Sequence, residues 1–293
     1  RPRRPASSSR SCRRPVPELP EVESVRRDLV RRRFKGATVV RVRGSGKPLR
    51  MNKPVPMAAL GRAARGRRIV DVKRLGKYLM IELDGPASVL VHLGMTGNLL
   101  VVPRRTTWAP HTHVVFELDD GRDLRFVDPR RFGMVDTVAR GREREHVALA
   151  GLGPDPIAEG IPASHLWDRA RGKACKVKPF ILDQRVVAGV GNIYASEVLW
   201  LARISPRRKA GRLGADDARA VSVAIDHVLR FAIDNGGTTL RDFVDAGGEP
   251  GENGEYLLVY GRDGHPCPRC RTKIRRQVDQ GRATYFCPTC QKR

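Results

Sequence analysis

The sequence predicts an α+β multidomain protein: an N-terminal helix plus an antiparallel β-sandwich, then a helical domain, then a small metal-binding β-hairpin. Three observations carry that reading. Apolar residues have helical spacing over 22–29, give way to short β-rich runs between 37 and 135, and regain helical spacing beyond 163. Four of the six cysteines lie in the last 27 residues as two CxxC pairs. At 293 residues the chain is long enough to bury two ordinary cores.

The leading helix opens on Pro17-Glu18-Leu19-Pro20-Glu21-Val22-Glu23. Proline costs nothing in a first turn, and Glu18, Glu21 and Glu23 sit near the positive end of the macrodipole. Val22, Val25 and Leu29 form one apolar stripe, and Arg26, Arg27 and Arg31 to Arg33 load the other end. The β-rich runs follow: Val39 to Val42, Ile69 to Val72, Tyr78 to Leu83, Ser88 to Val91, His113 to Leu118 and Leu124 to Val127. Turn signals at Asp84-Gly85 and Asp120-Gly121 separate them, as in an antiparallel sandwich. Residues 138–163 are rich in Gly, Pro and charge and read as a linker. Helices are predicted over His165 to Arg171, Ile193 to Ala202 and Asp216 to Asn235, the last terminated by Gly236-Gly237. The expected domains are 17–137, 164–250 and 251–293, preceded by an extension over 1–16 that is non-native or disordered.

Lys and Arg number 56 against 31 acids, a formal charge of +25 spread along the chain. Such an excess implies a polyanionic partner. No apolar run approaches the roughly 18 residues that would span a bilayer, so a membrane is not the expected partner. The first residues lack the apolar stretch of a signal peptide, and the clustered cysteines suit a reducing compartment. A cytoplasmic, nucleoid-associated monomer is expected. Cys12 and Cys175 are left as free thiols.

The motifs that carry chemistry differ in strength. Cys267, Cys270, Cys287 and Cys290 match a closed tetrahedral site for one structural Zn2+, with Arg282 and other basic residues between the pairs. Gly189-Val190-Gly191-Asn192 places glycines before a helix, which is either a tight turn or a phosphate site with exposed N–H groups; Lys173, Lys176 and Lys178 lie just upstream and favour DNA contact. Lys77 enters a strand and by itself reads as a solvated edge charge. His92-Leu93-Gly94-Met95-Thr96-Gly97 and Asp128-Pro129-Arg130-Arg131-Phe132-Gly133 put apolar side chains on loop tips, where a neighbouring domain or unstacked DNA could cover them.

Taken together, PELPEVE, the lysine motif, both loops, the glycine-asparagine segment and the cysteine pairs resemble the formamidopyrimidine-DNA glycosylase family. The resemblance covers essentially residues 17 to 293. It implies a helix-two-turn-helix domain, a zinc finger and excision of oxidised purines (8-oxoguanine, formamidopyrimidines) from duplex DNA, with AP lyase activity. On the matching positions it implies that Pro17 is the amine nucleophile and that Glu18 and Glu21 assist it. Lys77 and Arg282 become catalytic residues, and Met95, Arg130 and Phe132 a wedge for the flipped-base gap. His111, Asn192 and Arg241 are implied as DNA contacts, beside Lys173 and Lys178. Thr96 stands where serine is usual and Arg241 where lysine is expected, and Pro250-Gly251-Glu252-Asn253 lacks the family's aromatic pair.

Two rival readings are an oxidised-pyrimidine glycosylase of the endonuclease VIII type and a non-catalytic binder of damaged DNA. Leu19 and Val22 favour the purine branch. A zinc-ribbon RNA-binding protein would leave PELPEVE and the sandwich motifs unexplained. The binder becomes relevant because an internal proline nitrogen is an amide and cannot attack. The expectation is therefore that residues before Pro17 are upstream sequence, with Val16 marking an alternative start codon.

Overall fold

The computed structural model describes residues 16–49, 53–240 and 242–292. Helix α1 spans Leu19–Arg31 and buries Val22, Val25 and Leu29, the stripe read from the sequence. Its start differs by one turn element. Glu18 is the cap and Pro20 takes the first-turn place, because the Glu18 N–H donates to the Glu21 carboxylate at 2.7 Å.

Among the described residues, eight strands follow: β1 (Val39–Gly44), β2 (Ile69–Leu75), β3 (Tyr78–Leu83), β4 (Ala87–His92), β5 (Asn98–Pro103), β6 (Thr112–Leu118), β7 (Arg122–Val127) and β8 (Met134–Ala139). They form two antiparallel four-stranded sheets, ordered β1-β6-β7-β5 and β2-β3-β4-β8. Helix α2 (Met57–Ala64) lies between β1 and β2 and was not expected from the sequence. The sheets and the inner face of α1 enclose one core, in which Leu29, Phe34, Leu79, Leu99 and Phe126 are fully buried. The sheets face each other across that core, as in a sandwich.

Beyond the linker come α3 (Ala163–Ala170), α4 (Val177–Leu182), α5 (Asn192–Leu201) and α6 (Ala215–Asp234), then the hairpin β9 (Arg275–Asp279) and β10 (Arg282–Phe286). A second core joins these helices to the hairpin: Ile193, Val198, Ile225 and Leu229 cluster with Cys267, Ile274, Ala283 and Tyr285. The metal module is thus an extension of the helical domain. No helix among the described residues is long and apolar enough to cross a membrane.

Three ties hold the two cores around a cleft. Leu19, on α1, packs into the helical core, while Val22, Val25 and Leu29 of the same helix pack into the sandwich. The chain after α6 returns to the sandwich: Phe243 and Ala246 are buried there, and Val101 N–H donates to the Ala246 carbonyl at 2.9 Å. Arg74 is buried between Glu23 of α1, at 2.9 Å, and Asp155 of the linker, at 3.1 Å. Asp155 also accepts the Gly76 N–H at 2.7 Å, so the ion pair is hydrogen-bonded on both sides.

Candidate active site

Helix α1 aims its N-terminus at the N-terminus of α5. The buried Glu18 carboxylate accepts the Ile193 N–H at 2.9 Å and the Tyr194 N–H at 3.4 Å. The glycine-rich turn makes room for this approach. A Cβ on Gly191 would lie 2.2 Å from the Glu18 carboxyl carbon, and Gly189 has φ +95° with Leu19 against it. The helix end read from the sequence as exposed N–H groups awaiting phosphate is therefore filled by the protein's own carboxylate. That corrects the sequence reading, and the macrodipole explains the choice of occupant.

Glu21 is also buried. It accepts the Glu18 N–H at 2.7 Å, the Thr238 N–H at 2.7 Å and the Tyr194 hydroxyl. Burial raises the pKa of Glu18 from 4.5 to about 7, opposed by nearby Lys77, reinforced by Glu21 and opposed again by the two α5 N–H groups. The same desolvation pushes Glu21 up, against its three donors. Two acids of one helix thus share a dry site from which a proton can leave near neutral pH.

Glu18 opens onto a cleft of about 620 Å³ lined also by Lys77, Met95, Asn192 and Arg282. Lys77 is half-buried at the turn between β2 and β3, and desolvation lowers its pKa, with Glu18 and Glu21 opposing. Arg282 is exposed at the start of β10, after Gln280 and Gly281, whose positive φ values (48° and 73°) suit a two-residue hairpin turn. Pro17 is buried next to Glu18, with Val16, Met95 and Phe243 around it.

Across the cleft the two apolar-tipped loops are one unit. Asp128 is fully buried and accepts from Thr96 Oγ1 at 2.6 Å, Gly133 N at 2.7 Å and Arg130 N at 3.2 Å. The backbones touch so closely that a Cβ on Gly94 would lie 2.4 Å from Gly133 N. Outside this scaffold, Arg130 stacks its guanidinium 4.8 Å from the centre of the Phe132 ring, and both are exposed, while Met95 is half-buried. His111 is exposed with φ +66°, and its carbonyl accepts the Asp128 N–H at 3.0 Å.

Of the residues read as DNA contacts, Lys178 faces inward, and Asn192, half-buried in the cleft wall, is tied to the finger beside it. Lys178 is buried and spends its three N–H donors on Ser196 Oγ, the Ala283 carbonyl and Thr284 Oγ1 at 3.0 to 3.1 Å. It fastens α4 and α5 to the finger, and desolvation lowers its pKa to about 7. Asn192 donates to the same Ala283 carbonyl at 3.0 Å. Lys173 is exposed on the loop before α4, and Cys175 is also exposed. Arg241 lies outside the described residues, as do Cys12 and residues 1–15. Sequence reasoning missed Asp128, Tyr194 and Thr238 as site builders; Asp128 before Pro129 carried a turn signal that could have marked it.

The four cysteine Sγ atoms lie within 4.8 Å of one another, with 3.9 Å between Cys267 and Cys290 and 3.4 Å between Cys270 and Cys287. A tetrahedral zinc with bonds of about 2.3 Å sets sulfurs roughly 3.8 Å apart, so the donor set fits one structural Zn2+. Trp200 Nε1 donates to Cys267 Sγ at 3.4 Å, an outer hydrogen bond that ties the ligand cage to α5.

A sandwich, a helical domain and a cysteine finger arranged around a basic cleft with a buried acid pair define the class of zinc-finger DNA glycosylases with a helix-two-turn-helix domain. Family models agree along the chain: the formamidopyrimidine-DNA glycosylase N-terminal domain matches residues 16–135, its H2TH domain 152–244, and the zinc finger found in FPG and IleRS 264–293. Formamidopyrimidine-DNA glycosylases of Herpetosiphon aurantiacus and Syntrophotalea carbinolica are each 46% identical, with 94% of this chain and 100% of theirs covered. The crystal structure of the MutM (Fpg) protein from Thermus thermophilus is 42% identical, with a TM-score of 0.82 over 94% of this chain and 98% of that one. The Lactococcus lactis Fpg in complex with abasic-site DNA is 30% identical, with a TM-score of 0.85 over 94% and 100%. The chain belongs to the formamidopyrimidine-DNA glycosylase family.

Proposed function

We infer that this protein excises oxidised purines from duplex DNA in base excision repair and then cleaves the strand by AP lyase chemistry. The observation that carries the reading is the Pro17-Glu18 pair beside the cleft, with Glu18 buried on the α5 N-terminus and titrating at about 7. The Pro17 nitrogen attacks the anomeric carbon and gives up its proton as the damaged base leaves with the glycosidic electron pair; the ring C1′–O4′ bond then breaks as the nitrogen lone pair forms the iminium, and O4′ takes a proton. Glu18 passes protons to and from the opened sugar. The iminium acidifies the neighbouring carbon, so β- and then δ-elimination release the phosphates on each side. Lys77 and Arg282 line the same cleft and present positive charge to the sugar-phosphate.

This chemistry needs Pro17 as a secondary amine. An amide nitrogen has no free lone pair, whereas a free α-amino group has a pKa of about 7.7–8.0 and a useful neutral fraction at pH 7. The active form is therefore one in which the bond before Pro17 is absent. Met95, Arg130 and Phe132 are assigned as the wedge that fills the gap left by a flipped nucleotide, a reading supported by their gathering on the joined loop tips. His111, Lys173 and Arg241 are assigned to the DNA backbone, and Asn192 and Lys178 to bracing the finger against it.

The assignment extends to a monomer acting in a bacterial-type cytoplasm on nucleoid DNA. Its units are 17–137, a linker over 138–163, 164–250 and 251–293. The charge of +25 supports the polyanionic partner. Borohydride trapping on duplexes with 8-oxoguanine opposite cytosine tests the activity: a covalent adduct is expected, and faster turnover of oxidised pyrimidines would move the protein to the endonuclease VIII branch. That second reading draws on Glu252-Asn253 replacing the aromatic pair near the base-capping loop, and a Lactococcus lactis Fpg has been solved with DNA containing an oxidized pyrimidine.

A further inference from the structure

We propose that Asn253 is a positioning residue for excision, the starting donor of a directed hydrogen-bond relay that runs through Thr238 and Tyr194 and ends on the Glu21 carboxylate. The proposal rests on the glycosylase reading above. In the segment where the family carries an aromatic pair, this chain has Glu252-Asn253, and Asn253 is buried at 3% exposure. Its Nδ2 donates to Thr238 Oγ1 at 2.7 Å. Thr238 Oγ1 lies 2.9 Å from the Tyr194 hydroxyl, which donates to Glu21 Oε1.

The direction follows from proton counting. Tyr194 has one hydroxyl proton and gives it to Glu21, so at the Thr238 contact its oxygen is the acceptor. Thr238 then spends its own proton on Tyr194 and must accept elsewhere, which the Asn253 amide N–H satisfies. Every bond points the same way and each polarises the next toward an anion. The relay also crosses the molecule: Asn253 and Thr238 belong to the segment after α6, Tyr194 to α5 and Glu21 to α1. The strand-like bridge between Thr238 and Glu252 fixes the two ends of the segment, and Gly251 N–H donates to Thr239 Oγ1 at 2.8 Å.

The consequence is electrostatic. Tyr194, the Thr238 N–H and the Glu18 N–H favour the ionised form of Glu21 against the larger, opposing effect of burial, and its charge when ionised is one of the groups facing Glu18. The others are Lys77 from the β2–β3 turn, Lys178 from α4 and the Ile193 and Tyr194 N–H groups from α5; Arg282 of the finger faces the two lysines. Cutting the relay weakens the strongest side-chain donor to Glu21, favours its protonation and removes repulsion from Glu18. Glu18 then titrates at lower pH. An Asn253 that merely packed the loop would alter DNA affinity and leave that titration in place.

The test is single-turnover excision as a function of pH in the excision-active protein, alongside affinity for abasic-site DNA. Asn253→Leu should slow excision at pH 7 about fivefold, because a one-unit fall from a pKa near 7 takes the protonated fraction of Glu18 from about a half to about a tenth, and should move the Glu18 inflection to lower pH, with affinity within about twofold. Thr238→Val should reproduce the effect and Thr238→Ser, which keeps the hydroxyl, should restore wild-type behaviour, so the test survives if Asn253→Leu does not fold. An unmoved inflection in Asn253→Leu or Thr238→Val, or a loss confined to affinity, overturns the relay while the glycosylase reading stands. A wild-type protein with no excision on any oxidised purine overturns the functional reading and the relay with it.

Discussion

The cleft has a buried carboxylate on each side, and the two are surrounded differently. Asp128 receives a hydroxyl and two backbone N–H groups at 2.6 to 3.2 Å, all from the loops it joins. Glu18 receives two backbone N–H groups, one of them at 3.4 Å, and has Glu21 as a neighbour on its own helix. In the first case the charge is spent on shape, holding Met95, Arg130 and Phe132 on one rigid tip. In the second, burial outweighs Lys77 and the two N–H groups, with Glu21 adding to it, so a proton exchanges near neutrality. Both acids are buried; what differs is the number and closeness of the donors around them.

If that distinction is right, neutralising the two acids should fail in different ways. The largest effect is expected for Glu18→Gln: single-turnover excision should fall by about 10²–10⁴-fold, the range for a lost general acid–base group, while affinity for abasic-site DNA is retained. Excision within tenfold of wild type would remove Glu18 from the chemistry. Asp128→Ala should instead unfold at lower temperature, by an amount corresponding to about 1–3 kcal/mol for each donor left buried and unpaired. It should also lose discrimination between lesion and undamaged duplex. Stability unchanged in a thermal melt would mean that the loops do not depend on it.

The pH dependence of stability sharpens the contrast further. Glu18 has a folded pKa of about 7 against 4.5 in the ordinary state, so the fold binds more protons than the unfolded chain between those values. Its contribution is fully present below pH 4.5 and is lost as pH rises through 7, on the order of 3 kcal/mol in all. Glu18→Gln should flatten denaturation midpoints over that window and leave the protein more stable than wild type at pH 8. An unchanged slope would show that Glu18 is ionised throughout. The smallest effect belongs to the exposed tip: Arg130→Ala should reduce the preference for cytosine over adenine opposite the lesion by about 1–3 kcal/mol in relative excision rate, with folding untouched. Equal selectivity in variant and wild type would leave Arg130 as a stacking partner for Phe132 alone.

What the sequence displayed was whatever it encoded locally. The buried face of α1 follows from Val22, Val25 and Leu29, and the cysteine spacing specifies a ligand cage whose sulfurs indeed converge. Helix α2 escaped because Pro54 and Pro56 before it and Gly61 within it read as turn signals, and α4 because it is only 6 residues long and carries Pro179 in its first turn, where proline is tolerated. β8 was hidden because it runs into the charged stretch assigned to the linker. The active site was less legible than the fold. Glu18 caps a helix 175 residues away and Glu21 accepts from a residue 217 away, distances at which no periodicity speaks. Lys178 looked like a DNA-facing charge because three lysines cluster ahead of the glycine-asparagine segment that opens α5, yet packing of the finger turned its ammonium inward. The return of Phe243 and Ala246 to the sandwich is likewise a tertiary fact with no local signature.

The central claim is that the amine beside Glu18 performs the chemistry, and the site holds two rivals for that role. Burial lowers the pKa of Lys77, which lines the cleft, and that of Lys178 to about 7, so these are the amines that compete with Pro17. Borohydride trapping on 8-oxoguanine DNA followed by peptide mass spectrometry locates the bond directly. The account predicts a single adduct on the nitrogen of Pro17, in chains that begin at Pro17. An adduct on Lys77 or Lys178, or on a chain still carrying residue 16, would contradict it.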